Sequence, residues 1–276
     1  MRNVMKKVLV LATAAAMAMT TAAFAESTTE AVEEKSEGVM TYAEYAEAAV
    51  DDEVTIEAYV QAKQGWWENE GVGTATIYTQ DQDGAYFVYN MPIEQEDYDK
   101  LVEGQKIKVT GFKSEWAGEV EIMDVESVEI EDGNWVAPVT DVTEFLGTDE
   151  LADFMNQKVS FKGMTVEAIS VEASTEEATE AAAVEDAAFL YNWDGSGAQG
   201  DDLYFNVSKD GQTYQFTVES YLCGADTEVY QAVENLKVGD VIDLEGFLYW
   251  YEGANPHITA VAPAAAEEAT SEAVTE

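Results

Sequence analysis

The side chains best equipped to act on another molecule are aromatic rings in the company of carboxylates. The sequence holds six tryptophans, and most of them lie in polar or glycine-rich stretches rather than in hydrophobic runs. Trp66 and Trp67 stand in QGWWENEGVG, Trp116 in SEWAGE, Trp193 in NWDGSGAQGDD, and Trp250 between Tyr249 and Tyr251 in YWYEGANPH. Large rings are costly to expose without a use, whereas their faces stack on sugars, bases or cations. Glu68, Glu70, Glu115 and Glu119 flank the earlier rings, and rings beside carboxylates suit a neutral polyol or a cation.

Catalysis has less to work with. His257 is the only histidine and follows Asn255-Pro256 in a turn, where a surface role is expected and no neighbouring nucleophile is marked. Cys223 is the only cysteine, so an internal disulfide and Cys/His zinc sites are excluded. Asn192, Asp194, Ser196 and Gly197 have partial EF-hand spacing, but Leu203 occupies the position that needs a bidentate glutamate. Paired carboxylates can hydrolyse a glycoside, yet among 56 acidic residues some pair arises by chance. A non-enzyme without metal or cofactor is expected.

Charge narrows the partners. Only 13 residues are Lys or Arg and the formal net charge is −43. Arg2 is the sole arginine; planar phosphate recognition depends on guanidinium groups, and the bulk field repels a polyanion. Nucleic acid is therefore expected to be an unsuitable partner. Residues 1–25 read as a secretory signal, with Arg2, Lys6 and Lys7 before an apolar run from Val8 to Met19 and Ala23-Phe24-Ala25 as cleavage site. That run is too short and alanine-rich for a permanent span. A secreted bacterial protein starting at Glu26 is expected. Residues 26–38, 172–187 and 262–276 are rich in Ala, Thr, Ser and Glu; burial cannot repay their ordering entropy, so they read as an acidic linker, an insertion and a tail.

The elements that must position the rings are written twice. GQKIKVTGFKSEWAG from Gly104 aligns with GDVIDLEGFLYWYEG from Gly239 at an offset of 135, matching Gly111-Phe112 with Gly246-Phe247 and Trp116 with Tyr251. VTIEAYVQA from Val54 aligns with VSFKGMTVEA from Val159 at an offset of 105, the difference being taken up by the insertion and the glycine-rich run after it. Two copies of one domain are expected, over residues 39–138 and 139–261. In the first, alternation marks a strand over 54–61, and Asp83-Gly84 joins strands over 75–80 and 85–91. Pro92 opens a short helix with Tyr98, Leu101 and Val102 on one side. Ile107 and Val109 mark a fourth strand, and 120–130 a fifth with a bulge near Met123. The second copy repeats the order over 159–166, 203–207, 214–218 around Asp210-Gly211, a helix at 229–236, then 241–248 and 258–261. A short helix precedes each copy, signalled by Thr41 with Glu44 in one and by Leu151, Phe154 and Met155 in the other.

Three strands, a helix and two strands is the order of the OB-fold, a five-stranded, partly open Greek-key barrel. LVEGQKIKVTGF and LKVGDVIDLEGF resemble the fourth strand of bacterial OB-fold domains. The resemblance spans residues 39–261 and implies a mainly β protein of two tandem five-stranded barrels, each with a short helix between strands 3 and 4. It also implies binding through strands 2 and 3 and the loops 1–2 and 4–5, which is where all the tryptophans but Trp135 fall. The ligand-binding candidates are thus Trp66, Trp67, Trp116, Trp193, Tyr249, Trp250 and Tyr251, while Tyr59, Tyr78, Tyr86 and Tyr89 line the sheet face. Oligonucleotide binders of this fold add a basic groove; here residues 39–138 carry 23 acidic residues and five lysines, although Lys63, Lys106, Lys108 and Lys113 could form a local patch. The expected function is a secreted, non-catalytic module that recognises a carbohydrate or cell-wall glycan. The alternatives are an extracellular protein-interaction scaffold and a single-stranded nucleic-acid binder.

Overall fold

Alternating apolar residues build two antiparallel-rich sheets, each with its own core. The computed structural model describes residues 35–69, 71–170 and 187–264. The proposed export signal, residues 26–34 of the linker, Glu70, nearly all of the insertion and most of the tail lie outside them. Among the described residues, no helix is long and apolar enough to cross a membrane.

The first sheet contains β1 (Glu53–Lys63), β2 (Trp67–Asn69), β3 (Val72–Gln80), β4 (Ala85–Pro92), β5 (Gln105–Trp116) and β6 (Glu119–Asn134). Its order is β1-β5-β6-β4-β3-β2, and β1 also pairs with β3, which closes five strands into a barrel. β4 and β6 run parallel, as Greek-key closure requires. Val54, Ile56, Ile77, Val88, Ile107, Val109 and Ile122 fill the interior. One end is stoppered by α1 (Tyr42–Glu47), whose Thr41–Glu44 capping box forms as expected and whose Tyr45 is buried. Lys113 then caps the other terminus of this helix, its Nζ donating to the carbonyls of Tyr45, Ala46 and Ala48 at 2.8–2.9 Å.

The expected bulge is present. Thr110 pairs with Ser127 but Phe112 pairs with Met123, so β6 carries extra residues there, with Asp124 at φ +46°. Gly111 sits at this crossing, where a Cβ would lie 2.9 Å from the Met123 carbonyl oxygen. Its repeat counterpart Gly246 occupies the equivalent close crossing, where a Cβ would collide with the His257 carbonyl. The repeated Gly-Phe pair therefore reflects backbone approach at the bend of a strongly coiled strand. Gly246→Ala is expected to destabilise the protein by about 1–3 kcal/mol through forced backbone displacement, read as a lower midpoint in urea.

The second sheet contains β7 (Thr140–Asp141), β8 (Lys158–Glu167), β9 (Leu190–Tyr191), β10 (Leu203–Lys209), β11 (Gln212–Val218), β12 (Val241–Phe247) and β13 (His257–Pro263). Its order is β7-β8-β12-β13-β11-β10-β9, with β10 also pairing back to β8. Phe161, Phe205, Phe216 and Leu244 centre its core, against which α3 (Glu228–Glu234) packs Val229, Tyr230 and Val233. Two expectations about helices need correction. Pro92 ends β4 opposite Thr74, and the Ile93 N–H still donates to Gly73, so α2 (Gln95–Tyr98) begins only after Glu94. Leu101 is buried but Val102 is exposed. The segment with Leu151, Phe154 and Met155 is not an α-helix but two 3-10 turns, Thr143–Phe145 and Asp149–Phe154, separated by Gly147 at φ +77°.

The sheets meet through a buried aromatic cluster of Tyr78, Phe87 and Phe247, with Ala62, Leu222 and Tyr249 packed around it. Tyr78 and Phe247 stack with centroids 4.4 Å apart. Around this cluster Gln80 Oε1 accepts from the Lys158 N–H, and Gly65 N–H donates to the Tyr221 carbonyl. Glu119 is fully buried beside it, accepting from Asn156 Nδ2 at 2.6 Å and from the Trp250 N–H at 2.8 Å.

Candidate ligand-binding cleft

Two hairpin loops, β5–β6 and β12–β13, face each other across the junction. The first turns tightly at Ala117-Gly118, both at positive φ, and the Glu252 N–H donates to the Ala117 carbonyl at 2.7 Å. This contact brings Trp116 and Tyr251 to 5.1 Å between centroids. These are the residues that the offset of 135 superimposes, so equivalent positions of the repeat oppose each other.

Between the loops and the strands behind them runs a cleft in two continuous halves of about 610 and 700 Å³. Trp116, Tyr249, Asp202, Glu219 and His257 line both halves. One half adds Trp193, Tyr204, Gln215, Tyr251 and Asn255. The other adds Trp67, Phe87, Tyr89 and Tyr221, with Gln64 and Asn90. Phe87 and Tyr89 share one face of β4 because side chains alternate along a strand. Several rings stay open to solvent: Trp193 is 73% exposed, Trp116 55%, Tyr251 46% and Trp67 44%.

Five of the seven candidates from sequence therefore converge here: Trp67, Trp116, Trp193, Tyr249 and Tyr251. Two do not. Trp66 turns inward, packs on the first core and donates from Nε1 to the Ile93 carbonyl at 2.9 Å. Trp250 lies over Gly118 at the loop junction, where a Cβ on that glycine would come within 2.8 Å of its ring. Of the four tyrosines assigned to the sheet face, only Tyr89 reaches the cleft; Tyr59, Tyr78 and Tyr86 are buried.

His257 departs furthest from expectation. It is buried rather than superficial, stacks on Tyr249 at 4.3 Å, and shares a 2.8 Å hydrogen bond between Nδ1 and the Tyr78 hydroxyl. Burial holds its pKa down to about 3, so it is neutral at physiological pH. Asp202 and Glu219 were not singled out from sequence, yet a signal existed. Leu203 pairs with Val218 in the hairpin turned by Asp210-Gly211, so the next residues outward, 202 and 219, must come side by side.

These two carboxylates set the electrostatics. Asp202 Oδ1 accepts from the Ser220 N–H at 2.8 Å and its hydroxyl at 2.6 Å. Glu219 accepts from the Tyr221 N–H and from Gln64 Nε2 at 3.2 and 3.0 Å. Burial first, and the neighbouring Asp202 charge second, push Glu219 up to about 7. Among the described residues neither carboxylate has a salt-bridge partner, and no His/Cys/Asp/Glu cluster could hold a metal ion.

Among the described residues no lysine lines the cleft, and the lysine patch considered from sequence is committed elsewhere. Lys106 pairs with Glu57 at 3.1 Å and Glu131 at 3.5 Å. Lys113 caps α1, and Lys63 donates to the Tyr98 carbonyl at 2.6 Å while lying over the Tyr98 ring. Lys108 stands in register between Glu57 and Glu129.

No protein-family model matches the sequence, and no curated protein does. Among solved structures, the chain is similar to a murine DNA-binding protein bound to double-stranded DNA, at 14% identity over 76% of this chain and 96% of that one, with a TM-score of 0.33. It is similar to the Ifi202 HINa domain in complex with double-stranded DNA at 11% identity, covering 77% of this chain and 96% of that one, with a TM-score of 0.30. The single-stranded DNA-binding protein of Thermus aquaticus aligns at 13% identity over 79% of this chain and 95% of that one, with a TM-score of 0.25. These structures are named for binding DNA, which stands against the expectations of a glycan ligand and of nucleic acid as an unsuitable partner. At such scores no residue correspondence follows.

Proposed function

We propose that the protein is a non-enzymatic module that binds single-stranded nucleic acid by stacking its bases among the rings of the cleft. On this reading residues 39–138 and 139–261 are two OB-fold units placed with their 4–5 loops opposed, so that one strand of nucleic acid threads between them. The observation that carries it is the convergence of Trp67, Trp116, Trp193 and Tyr251, all substantially exposed, on one concavity. Every base has a face that stacks on such rings, at about 1–3 kcal/mol per base. The amides of Gln64, Gln215 and Asn255, together with the two carboxylates, supply edge partners for the bases.

Among the described residues lining the cleft there is no lysine to meet the phosphates. They must point outward, against a chain of net charge −43. Proteins that neutralise phosphates lose affinity as salt rises. Here salt screens repulsion instead, so affinity for a short oligonucleotide is expected to increase with ionic strength. Tryptophan quenching on titration with single-stranded DNA at several salt concentrations measures this. Trp116→Ala, at an exposed position, is expected to weaken binding roughly 5- to 150-fold, the equivalent of one lost stack. Absence of quenching and of binding heat at every salt concentration would overturn the reading, as would an unaltered affinity in Trp116→Ala.

A further inference from the structure

We infer that the cleft selects bases bearing an exocyclic amino group, with cytosine preferred over thymine, and that Asp202 is the residue that decides. The inference rests on the proposed stacking function and concerns the edge of the base rather than its face.

Both Ser220 bonds fall on the same oxygen of Asp202, Oδ1. Among the described residues Oδ2 takes no hydrogen bond, although the residue lines both halves of the cleft. A carboxylate oxygen accepts, so this one is open to an N–H donor from outside. A complementary donor lies in the same half. Asn255 Oδ1 accepts from the Thr217 hydroxyl at 2.8 Å, which orients the amide and leaves its NH₂ to donate. An acceptor and a donor lining one half of the cleft are the two kinds of partner that the N4 amino group and the N3 and O2 acceptors of cytosine take. Thymine offers O4 where cytosine has its amino group, and two acceptor oxygens facing each other repel.

The test uses the full chain with short homopolymers of deoxycytidine and thymidine at neutral pH, followed by calorimetry. The deoxycytidine strand is expected to bind at least about fivefold more tightly, the lower end of what one edge-specific pair contributes. Asp202→Asn keeps an oxygen for both Ser220 bonds and turns the free acceptor into an NH₂ donor. It is expected to reverse the order, weakening deoxycytidine and strengthening thymidine. A variant that had merely lost its fold would lose both, and the far-ultraviolet circular dichroism would report it. Equal affinities in the native protein, or an unchanged ratio in folded Asp202→Asn, overturn the inference while leaving stacking intact. Failure of both strands to bind the native protein overturns the stacking reading itself.

Discussion

Phe247→Ala is expected to cost about 3–5 kcal/mol of stability, the usual range for emptying a fully packed phenylalanine site. The ring is only 2% exposed and is stacked on Tyr78, which is itself wholly buried. It belongs to a cluster of few residues shared by both sheets, so no neighbouring core can relax into the space. For a chain of this size the melting temperature should fall by roughly 10 °C, and differential scanning calorimetry should show the single transition broadening or splitting as the sheets uncouple. Phe112, which the repeat aligns with Phe247, is only half-buried. The same change there should cost clearly less. Equal costs at the two positions would mean that the junction contributes nothing special.

The second large effect is a loss of stability as pH rises from mildly acidic to mildly alkaline. Burial raises Glu119 to about 8 and Glu121 to about 7, and burial with the Asp202 charge raises Glu219 to about 7. The folded chain therefore retains protons that the unfolded chain releases near the ordinary glutamate value of 4.5. Stability conferred by these carboxyls is present below that value and declines until pH passes their folded values. His257 acts in the opposite sense at lower pH: with its folded pKa near 3, the unfolded chain binds a proton below 6.5 that the folded chain refuses. Maximum stability should then lie close to the ordinary glutamate value of 4.5, on the acid side of neutrality.

Glu119→Gln isolates one of these protons. Glutamine can accept the Trp250 N–H with Oε1 and donate to Asn156 Oδ1 once that amide rotates. This oxygen has no hydrogen-bond partner in the native junction. Denaturant midpoints collected between pH 5 and 8 should give a shallower slope for the variant, by about 1.4 kcal/mol per pH unit where the carboxyl differs most between states. Parallel slopes for the two proteins would show that Glu119 ionises in the folded chain as freely as in water.

Much of the architecture was legible because it depends on local rules. Val54, Ile56, Ala58 and Val60 all face one core because a strand has a period of two. The bulge in β6 was visible as a phase shift near Met123. The capping box at Thr41 and Glu44 is a four-residue pattern that one helix end satisfies alone. Pro92 misled because a proline suits either the first turn of a helix or the end of an edge pairing, and the partner strand at Thr74 decided between them. The 3-10 turns around Leu151 were equally illegible, since apolar spacing over so few residues does not distinguish one helical form from another.

The binding cleft divides along the same line. Sequence by itself determined that this chain is mainly β with internally similar segments, that most of its tryptophans stand in polar or glycine-rich stretches, and that one histidine and one cysteine are too few for a Cys/His zinc site. These properties follow from composition, periodicity and self-similarity, each readable within a few tens of residues. Tertiary structure alone decided that Trp66 and Trp250 serve packing while Trp67 and Trp193 face solvent, and that His257 lies buried and neutral against Tyr78. It also decided that every lysine considered for a basic patch has its charge engaged or set between carboxylates. Whether a ring or an ammonium group is free depends on neighbours 30 to 180 residues away along the chain, as with Tyr78 and His257 at a separation of 179. No local pattern encodes such a meeting; it arises only when two sheets have closed and found each other's exposed aromatic faces.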